Sequence, residues 1–228
     1  MSKIKILLVV FSLSVFFADA QKGNFEIGIS GGANISGLWG YTQIRKASPL
    51  IATNYQIEFG FKLNEHFFII SNNSYEIKGN QFNNIQITDN NGNAIDNGSI
   101  KEKLEYIDFD VLARYLIGSK NLKYYANAGP YFGLFMKGTE KIKPSSPTIL
   151  NGTSFNGYER NLNDQFQKID FGLSLGAGIW LPLKENTNFT IGLTGNIGLN
   201  NISSYPVIDN GNVRTKNIKF SVGVNHFF

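Results

Sequence analysis

Residues 215–228 read TKNIKFSVGVNHFF, and their hydrophobicity alternates with a period of two. One face of this stretch carries Ile218, Phe220, Val222, Val224, His226 and Phe228, and the other carries Asn217, Lys219, Ser221, Gly223, Asn225 and Phe227. Successive side chains of a β-strand point to opposite faces, whereas a helix repeats every 3.6 residues. The stretch therefore predicts a strand with one apolar and one mostly polar face.

The same period recurs upstream and predicts seven more strands, over residues 25–35, 55–63, 66–78, 104–117, 122–137, 166–181 and 188–202. The alternation is least clear in 66–78, where Ser71 and Asn73 interrupt it. The connections are alternately long (37–52, 79–103, 138–165 and 203–214) and short (64–65, 118–121 and 182–187). This pattern predicts an all-β fold: an eight-stranded antiparallel up-and-down transmembrane β-barrel with long extracellular loops and short periplasmic turns. Alternation in 84–87 and at Ile95, around a turn at 90–93, predicts that the second long loop is a projecting hairpin.

The N-terminus predicts a cleaved signal peptide over residues 1–20. Lys3 and Lys5 precede an apolar run at 6–17, and Ala18-Asp19-Ala20 supplies small residues at the two positions that a signal peptidase reads. A membrane-anchoring helix is the alternative, but the apolar run is too short to span a bilayer comfortably. The expected mature domain, residues 21–228, contains no stretch that is long and apolar enough for a transmembrane helix.

The charged residues of the predicted strands share one face: Glu26, Glu58, Lys62, Glu76, Lys78, Asp108, Asp110, Arg114, Lys123, Lys137, Lys168, Asp170 and Lys219. A soluble barrel would bury its apolar face, but a Lys or Arg facing lipid at the midplane costs about 2–4 kcal/mol. We therefore expect the charges to line the lumen and nearly to neutralise one another. The candidate lumen network comprises Glu26, Glu58, Lys62, Asp108, Asp110, Arg114, Lys123, Lys168 and Asp170. Glycines on the same face leave room for large side chains such as Tyr125 and Trp180.

Aromatic residues make up 14% of the chain and mark the strand ends. We expect an outward-facing girdle near the periplasmic rim, formed by Phe25, Phe61, Phe67, Tyr115, Tyr124 and Phe189. The alternative is that these rings are simply good strand formers.

Four segments resemble the porin-family, or PorT-like, outer-membrane β-barrels of Bacteroidetes-type bacteria. They are residues 28–36 (GISGGANIS), 104–108 (LEYID), 125–133 (YANAGPYFG) and 170–178 (DFGLSLGAG). The C-terminus also resembles the end of such barrels through Ser221, Gly223 and the terminal Phe228, with His226 where an aromatic ring is usual. The resemblance implies location in the outer membrane and recognition of this signal by the barrel-assembly machinery.

Little in the sequence favours catalysis. The chain has no Cys and only two His, neither of them beside an evident Ser or Asp partner, and no cluster of residues with metal-ligand spacing. We expect no cofactor and no enzyme activity. The formal charge of +4 is dispersed, which argues against a nucleic-acid partner.

The leading functional hypothesis is a structural or adhesive barrel with a side-chain-filled lumen, whose long loops bind something outside the cell. The alternatives are a small-solute or ion channel and a lipid-modifying barrel enzyme. Outer-membrane lipids, including lipopolysaccharide, are expected partners. Arg45, Lys141, Lys143 and Arg160 could contact lipopolysaccharide or could be ordinary solvated loop charges. The sequence identifies no extracellular ligand.

Overall fold

A computed structural model describes residues 24–40, 47–88, 94–146, 148–150, 153–206 and 211–228. The expected signal peptide, Arg45 and the expected turn at 90–93 lie outside these ranges. Within them, no helix has the length and hydropathy needed to cross a membrane.

The described part of the chain forms eleven β-strands. In chain order they are β1 (Phe25–Trp39), β2 (Ser48–Lys62), β3 (Phe67–Thr88), β4 (Ala94–Gly118), β5 (Lys123–Pro144), β6 (Thr148–Leu150), β7 (Thr153–Phe155), β8 (Tyr158–Asn161), β9 (Ile169–Lys184), β10 (Thr187–Gly198) and β11 (Arg214–Phe227).

The long strands pair edge to edge into a closed ring, in the order β4-β3-β2-β1-β11-β10-β9-β5, and the ring closes where β5 pairs with β4. Every pairing is antiparallel, and chain neighbours lie side by side except where β11 returns to β1 and β5 meets β9 across the short strands. The short strand β8 extends the sheet from β5, and β6 pairs with β7. The predicted all-β, antiparallel, up-and-down arrangement is therefore confirmed.

The ring has one end with short turns and one with long connections. The short-turn end contains residues 63–66, 119–122 and 185–186, together with both ends of the described chain. At the long-loop end, β1, β3, β5 and β10 end and β2, β4, β9 and β11 begin, and the short strands β6, β7 and β8 lie between β5 and β9 in the chain.

The two faces of the ring have the polarity predicted for a barrel in lipid. On β11 the apolar residues Ile218, Phe220 and Val222 point outward and are exposed, whereas Asn217 and Lys219 point into the ring and are buried. A soluble protein would bury the first set and expose the second, because apolar burial is what favours folding in water.

Strands β2, β3, β4 and β5 extend further than the sequence predicted. The expected loop 79–103 is paired strand on both sides up to Thr88 and Ala94, β5 continues to Pro144, and β2 begins at Ser48. We call residues 79–88, 94–105 and 137–144, together with β8, the projecting sheet, because they continue β3, β4 and β5 beyond the ring. Gly79 stands where β3 leaves the ring, with a φ of 148° that a residue with a side chain rarely adopts.

The register of β3, which was the least certain from sequence, is fixed by its pairing with β2 and β4. Ser71 and Asn73 do point outward, in line with Phe59 and Ile57 of β2. The Asn73 amide donates to the Ile57 and Ser71 carbonyl oxygens at 3.4 and 3.5 Å. These polar residues interrupt the outward apolar pattern, while their backbone pairing keeps the strand regular.

The interior is layered. An apolar cluster near the short-turn end contains Phe68, Ile70, Leu112, Leu116 and Trp180, packed against Tyr125 and Phe227. A second cluster near the long-loop end contains Leu38, Leu104, Tyr106, Phe135, Ile202 and Val213, packed against Phe166. We call these clusters the lower and upper seals. The buried charges of the ring lie between or against them.

Candidate functional site

Arg114 of β4 organises the part of the lumen next to the lower seal. Its two terminal nitrogens each donate to one carboxylate oxygen of Glu58 at 2.7 Å, and its Nε donates to Asn127 at 2.9 Å. A second carboxylate, Glu26, lies 3.8 Å from the guanidinium group. The contact with Glu58 is bidentate, which is the arrangement in which an Arg–carboxylate pair interacts most strongly.

Aromatic rings cover the same guanidinium group. Its central carbon lies 4.5 Å from the ring centre of Tyr125 and 5.4 Å from that of Trp180. A Cβ on Gly178 or Gly192 would collide with the Tyr125 hydroxyl group, so these inward glycines make the room that the ring requires. Arg114 is thus enclosed by carboxylates on one side and by rings on the other.

Lys78 of β3 holds a second pair of carboxylates closer to the upper seal. Its Nζ lies 2.7 Å from Asp108 and 3.0 Å from Asp170. Asp170 also accepts hydrogen bonds from the hydroxyl groups of Tyr131, at 3.2 Å, and Thr215, at 2.7 Å. All five side chains are buried in the ring.

Lys219 of β11 holds a third pair. Its Nζ lies 2.5 Å from Glu76 and 3.6 Å from Asp110. Glu76 accepts further hydrogen bonds from Ser74 at 2.6 Å and from Asn217. Each of the three buried cations therefore stands between two carboxylates.

The expectation that the lumen charges nearly neutralise one another is wrong for the buried network. Of the predicted bases, Lys62, Lys123, Lys137 and Lys168 do not enter the buried network. Among the described residues, the network contains six carboxylates and three cations, which leaves three formal negative charges when all are ionised. A lumen of this charge favours a cation over an anion.

The two seals close the charged layer with rings and aliphatic side chains. In the lower seal, Trp180 meets Phe68 and Phe227 edge to face, with ring centres 5.6 and 5.7 Å apart. In the upper seal, Tyr106 meets Phe135 in the same way at 5.5 Å. A hydrated ion would have to part both seals to pass through the ring.

A family model described as an outer membrane protein beta-barrel domain matches residues 17–204. The chain belongs to this outer-membrane β-barrel family. Family membership places the protein in the outer membrane, with the apolar outward face of the ring in contact with lipid. None of the curated proteins matches the chain.

Solved outer-membrane barrels are similar over most of this chain. Neisserial surface protein A is 14% identical, covering 90% of this chain and 97% of its own, with a TM-score of 0.46. OprG from Pseudomonas aeruginosa is 12% identical over 91% of this chain and 97% of its own, with a TM-score of 0.47. Ail from Yersinia pestis is 15% identical, covering 90% of this chain and 99% of its own, with a TM-score of 0.39.

The remaining lysines of the predicted network lie at the ends of the outer-membrane barrel. Lys62 and Lys123 line an open vestibule of about 780 Å³ at the short-turn end, whose floor includes Phe68 and Trp180. Lys168 is exposed at the long-loop end, where its Nζ donates to the Asn163 carbonyl oxygen at 3.3 Å. The ends of the strands are in contact with water, where a lysine ammonium group keeps its hydration and has no desolvation penalty. These lysines therefore lie apart from the buried carboxylates.

Sequence reasoning assigned three central residues to the charged face without including them in the network. They are Glu76, Lys78 and Lys219, and the two lysines are the buried cations that hold the second and third carboxylate pairs. Their period-two position was the available signal. Which of the seven bases would reach a carboxylate depends on the stagger between strands, and hydrophobicity does not encode this stagger.

The predicted aromatic girdle divides into three groups. Phe67, Tyr115 and Tyr124 are exposed on the outward face at the short-turn end, and the rings of Phe67 and Tyr115 lie 5.0 Å apart. Phe61 and Phe189 are partly covered. Phe25 departs from the expectation: only 4% of it is exposed, its ring stacks on that of Phe59, and its carbonyl oxygen accepts a hydrogen bond from the Phe228 backbone N–H.

The predicted assembly signal lies on β11, which closes the ring against β1. Ser221 pairs with Gly32 and Gly223 with Ser30, and both point inward. His226 points outward, where its ring lies 4.7 Å from the ring of Phe228 and its Nδ1 lies 2.9 Å from the Thr187 hydroxyl. An imidazole thus stands on the outward face beside the terminal ring, as its place in the motif implies.

The projecting sheet carries a separate acidic pair on its inner face. Glu140 accepts a hydrogen bond at 2.8 Å from Arg160 of β8, and Glu102 stands opposite Glu140 across the β4–β5 pairing. Burial raises the pKa of the Glu102 carboxyl to about 7; the Glu140 carboxylate adds to the rise and Arg160 opposes it. This pair can therefore take up a proton near neutral pH, on a part of the chain beyond the membrane.

Proposed function

We propose that the protein is a non-conducting, eight-stranded outer-membrane barrel that carries a surface-binding structure on its long-loop side. In this proposal the short-turn end faces the periplasm, the long-loop end faces outward and residues 1–20 are a cleaved signal peptide. The observation that carries it is the closed interior, in which two apolar seals enclose three cation–carboxylate groups.

The energetics of the buried groups support a closed lumen. Removing one partner from a buried ion pair costs about 3–5 kcal/mol, because the other charge is left without compensation. Arg114, Lys78 and Lys219 each hold two carboxylates, so a permeating ion would have to displace cations that are bound twice. Such groups act as fixed interior packing in a ring this narrow.

The projecting sheet supports a binding role outside the membrane. Beyond Glu105, β4 continues for eleven residues to Ala94, or about 37 Å of extended chain at roughly 3.4 Å per residue. β3 and β5 pair along most of this length, so the projection is hydrogen-bonded and rigid. A rigid platform of this kind suits recognition of a partner, since little ordering is required on binding.

We also assign the chain to the PorT-like, Bacteroidetes-type group. Two of the four segments that resemble this group, 125–133 and 170–178, lie on neighbouring strands and pair with each other. A Cβ at Gly172 would come within 2.7 Å of the Tyr131 ring, so a glycine here leaves room for that ring. Mass determination of the mature protein tests the cleavage site, with Gln21 expected as the first residue.

The deciding experiment is single-channel recording from the purified protein in planar bilayers. Wild type is expected to show no discrete current steps, after a shift in electrophoretic mobility on boiling has shown that the sample is folded. A Trp180→Ala, Phe135→Ala double variant, which thins both seals, serves as the positive control. Reproducible steps in wild type would contradict the proposal.

A cation channel is the second candidate. The excess of three lumen carboxylates favours it, because such a charge would select cations if the seals opened. Current steps in wild type with a reversal potential that follows the cation gradient would establish this alternative.

A further inference from the structure

The outward face of the projecting sheet is lined with lysines. Lys101 and Lys103 lie on β4 and Lys137, Lys141 and Lys143 on β5, and all five are exposed. The pairing register places them on one face, since Lys101 lies opposite Lys141, Ser99 opposite Lys143 and Glu105 opposite Lys137.

A bulge in β5 creates this alignment. Within the ring, the even-numbered residues of β5 point outward with Phe132 and Leu134, but Tyr106 pairs with Phe135 and Glu105 with Lys137. Met136 is therefore an extra residue that moves the odd-numbered lysines to the outward face. Sequence analysis placed Lys137 inside because a period of two cannot reveal such an insertion.

The lysines have few acidic neighbours. Lys101 and Lys141 are direct cross-strand partners, an arrangement of like charges that destabilises a sheet. Among the described residues, the one ion pair on this face joins Lys141 to Glu159 at 3.9 Å, with both side chains about half exposed. Glu105 lies lower on the same face, opposite Lys137, and accepts a hydrogen bond from the Tyr75 hydroxyl at 2.9 Å. An external anion would offset the remaining repulsion.

The height of this face above the lipid-facing residues favours a lipid headgroup as the anion. Below Glu105, the same face of β4 is lipid-facing, with Ile107, Phe109 and the exposed Val111. At about 3.4 Å per residue, Lys103 and Lys101 lie roughly 7 and 14 Å further along the strand. Beyond the acyl chains, this is the depth of the phosphates and sugars of the outer leaflet.

Among the described residues, directly opposed lysines occur in one sector of the rim, where Lys101 faces Lys141. On the opposite side of the ring, Lys216 of β11 is exposed opposite Gly37 and Ile197, without a cross-strand lysine. Arg160, which the sequence grouped with Lys141 and Lys143, lies on the other face of the sheet and binds Glu140. The outward lysines of β4 and β5 are therefore a group set side by side by the pairing of these two strands.

We propose that the outward lysine face, Lys101, Lys103, Lys137, Lys141 and Lys143, binds the phosphate groups of the outer-leaflet glycolipid, lipopolysaccharide. The ammonium groups would contact phosphates while the glycolipid acyl chains continue down the apolar face of β4 and β5. The inference rests on the proposed outward orientation of the long-loop end. It is independent of whether the lumen conducts.

The test measures retention of diphosphoryl lipid A by the purified mature protein, using native mass spectrometry from detergent micelles. The comparison lipid is the same molecule after enzymatic removal of its phosphates. A Lys101→Gln, Lys141→Gln double variant removes the cross-strand pair. The matched control, Lys184→Gln with Lys216→Gln, removes two exposed lysines elsewhere, and each variant is first shown to be folded by its mobility before and after boiling.

We expect wild type and the matched control to bind the phosphorylated lipid about tenfold more tightly than the dephosphorylated one, and the double variant to lose this preference. Equal binding of both lipids by wild type, or an unchanged preference in the double variant, would overturn the proposal. Equally tight binding of the soluble, deacylated sugar phosphate would also overturn it, in favour of a soluble polyanion.

A second measurement covers the case in which the double variant does not fold. Raising NaCl from about 0.05 to about 0.5 M shortens the screening length roughly threefold, which should remove most of the preference of wild type for the phosphorylated lipid. A preference that is insensitive to salt would overturn the proposal. Single-channel recording separately tests the proposed function, so the two failures are distinguishable.

Discussion

The spanning part of the barrel and the projecting sheet are built from the same strands, but the polarity of their outward faces is opposite. On β4, the outward side changes from Val111 within the membrane to Lys103 and Lys101 above it. The inward side changes from the buried Asp110 and Asp108 to Leu104, which belongs to the upper seal.

The period of a strand and the polarity of its faces have different physical causes. The alternation of side chains follows from the backbone and is continuous along β4 from Gly98 to Ile117. The polarity of each face reports the medium beside it. Lipid lies outside and a packed polar lumen inside the ring, whereas the outer face of the projection meets charged headgroups or water.

The largest expected difference between the two regions concerns their Arg–Glu pairs. Arg114→Met should lower the free energy of unfolding by about 3–5 kcal/mol, because it leaves Glu58 and Glu26 buried without a cation. Arg160→Met, which breaks the partly exposed pair with Glu140, should cost about 1 kcal/mol or less. Urea unfolding of the two variants in lipid vesicles measures both values.

Comparable losses in the two variants would contradict the distinction between a buried network and a solvated pair. Trp180 and Tyr125 also pack on the Arg114 guanidinium group. Arg114→Lys therefore serves as a further control. It keeps the charge but cannot make the bidentate contact with Glu58, so its free energy of unfolding should lie between those of wild type and Arg114→Met.

A smaller effect is expected from exchanging outward residues between the two regions. Val111→Lys places a charge on the lipid-facing side and should cost about 2–4 kcal/mol and reduce assembly. Lys103→Val, on the same face of the same strand, should assemble like wild type. The fraction of protein whose mobility changes on boiling, after folding into vesicles, measures this difference. Equal assembly of the two variants would mean that the boundary near Glu105 is misplaced.

The sequence predicted the ring well because lipid imposes a simple rule on it. Residues 215–228 were interpreted as one strand with an apolar outward face, and β11 has this face. Lumen positions such as Asp108 and Asp110 followed from the same alternation. Both inferences need only the period and the large cost of a charge in lipid.

The projecting sheet could be predicted only in part, because its outward face is charged where the outward face of the ring is apolar. Residues 79–103 retain strand pairing, but Lys101 and Lys103 occupy the face that lipid-facing residues occupy below them. A test for apolar outward residues therefore assigned the segment to a loop, with a hairpin recognised only around 84–95. The bulge at Met136 hid the alignment of Lys137, Lys141 and Lys143, since one inserted residue reverses every later side chain.

The smallest expected effect concerns the pH dependence of the projecting sheet. In the folded protein, burial raises the pKa of the Glu102 carboxyl from 4.5 to about 7, so the folded state holds a proton that the unfolded chain releases. The resulting stabilisation is complete below about pH 4.5 and is lost as the pH rises through 7. Protection of the β5 and β8 amides against hydrogen exchange, corrected for intrinsic rates, should therefore be greater at pH 5 than at pH 8. Glu102→Gln should remove this difference. Glu159→Gln, a control on the opposite face of the same sheet, should retain it. A pH dependence that survives in Glu102→Gln would assign the proton to another group.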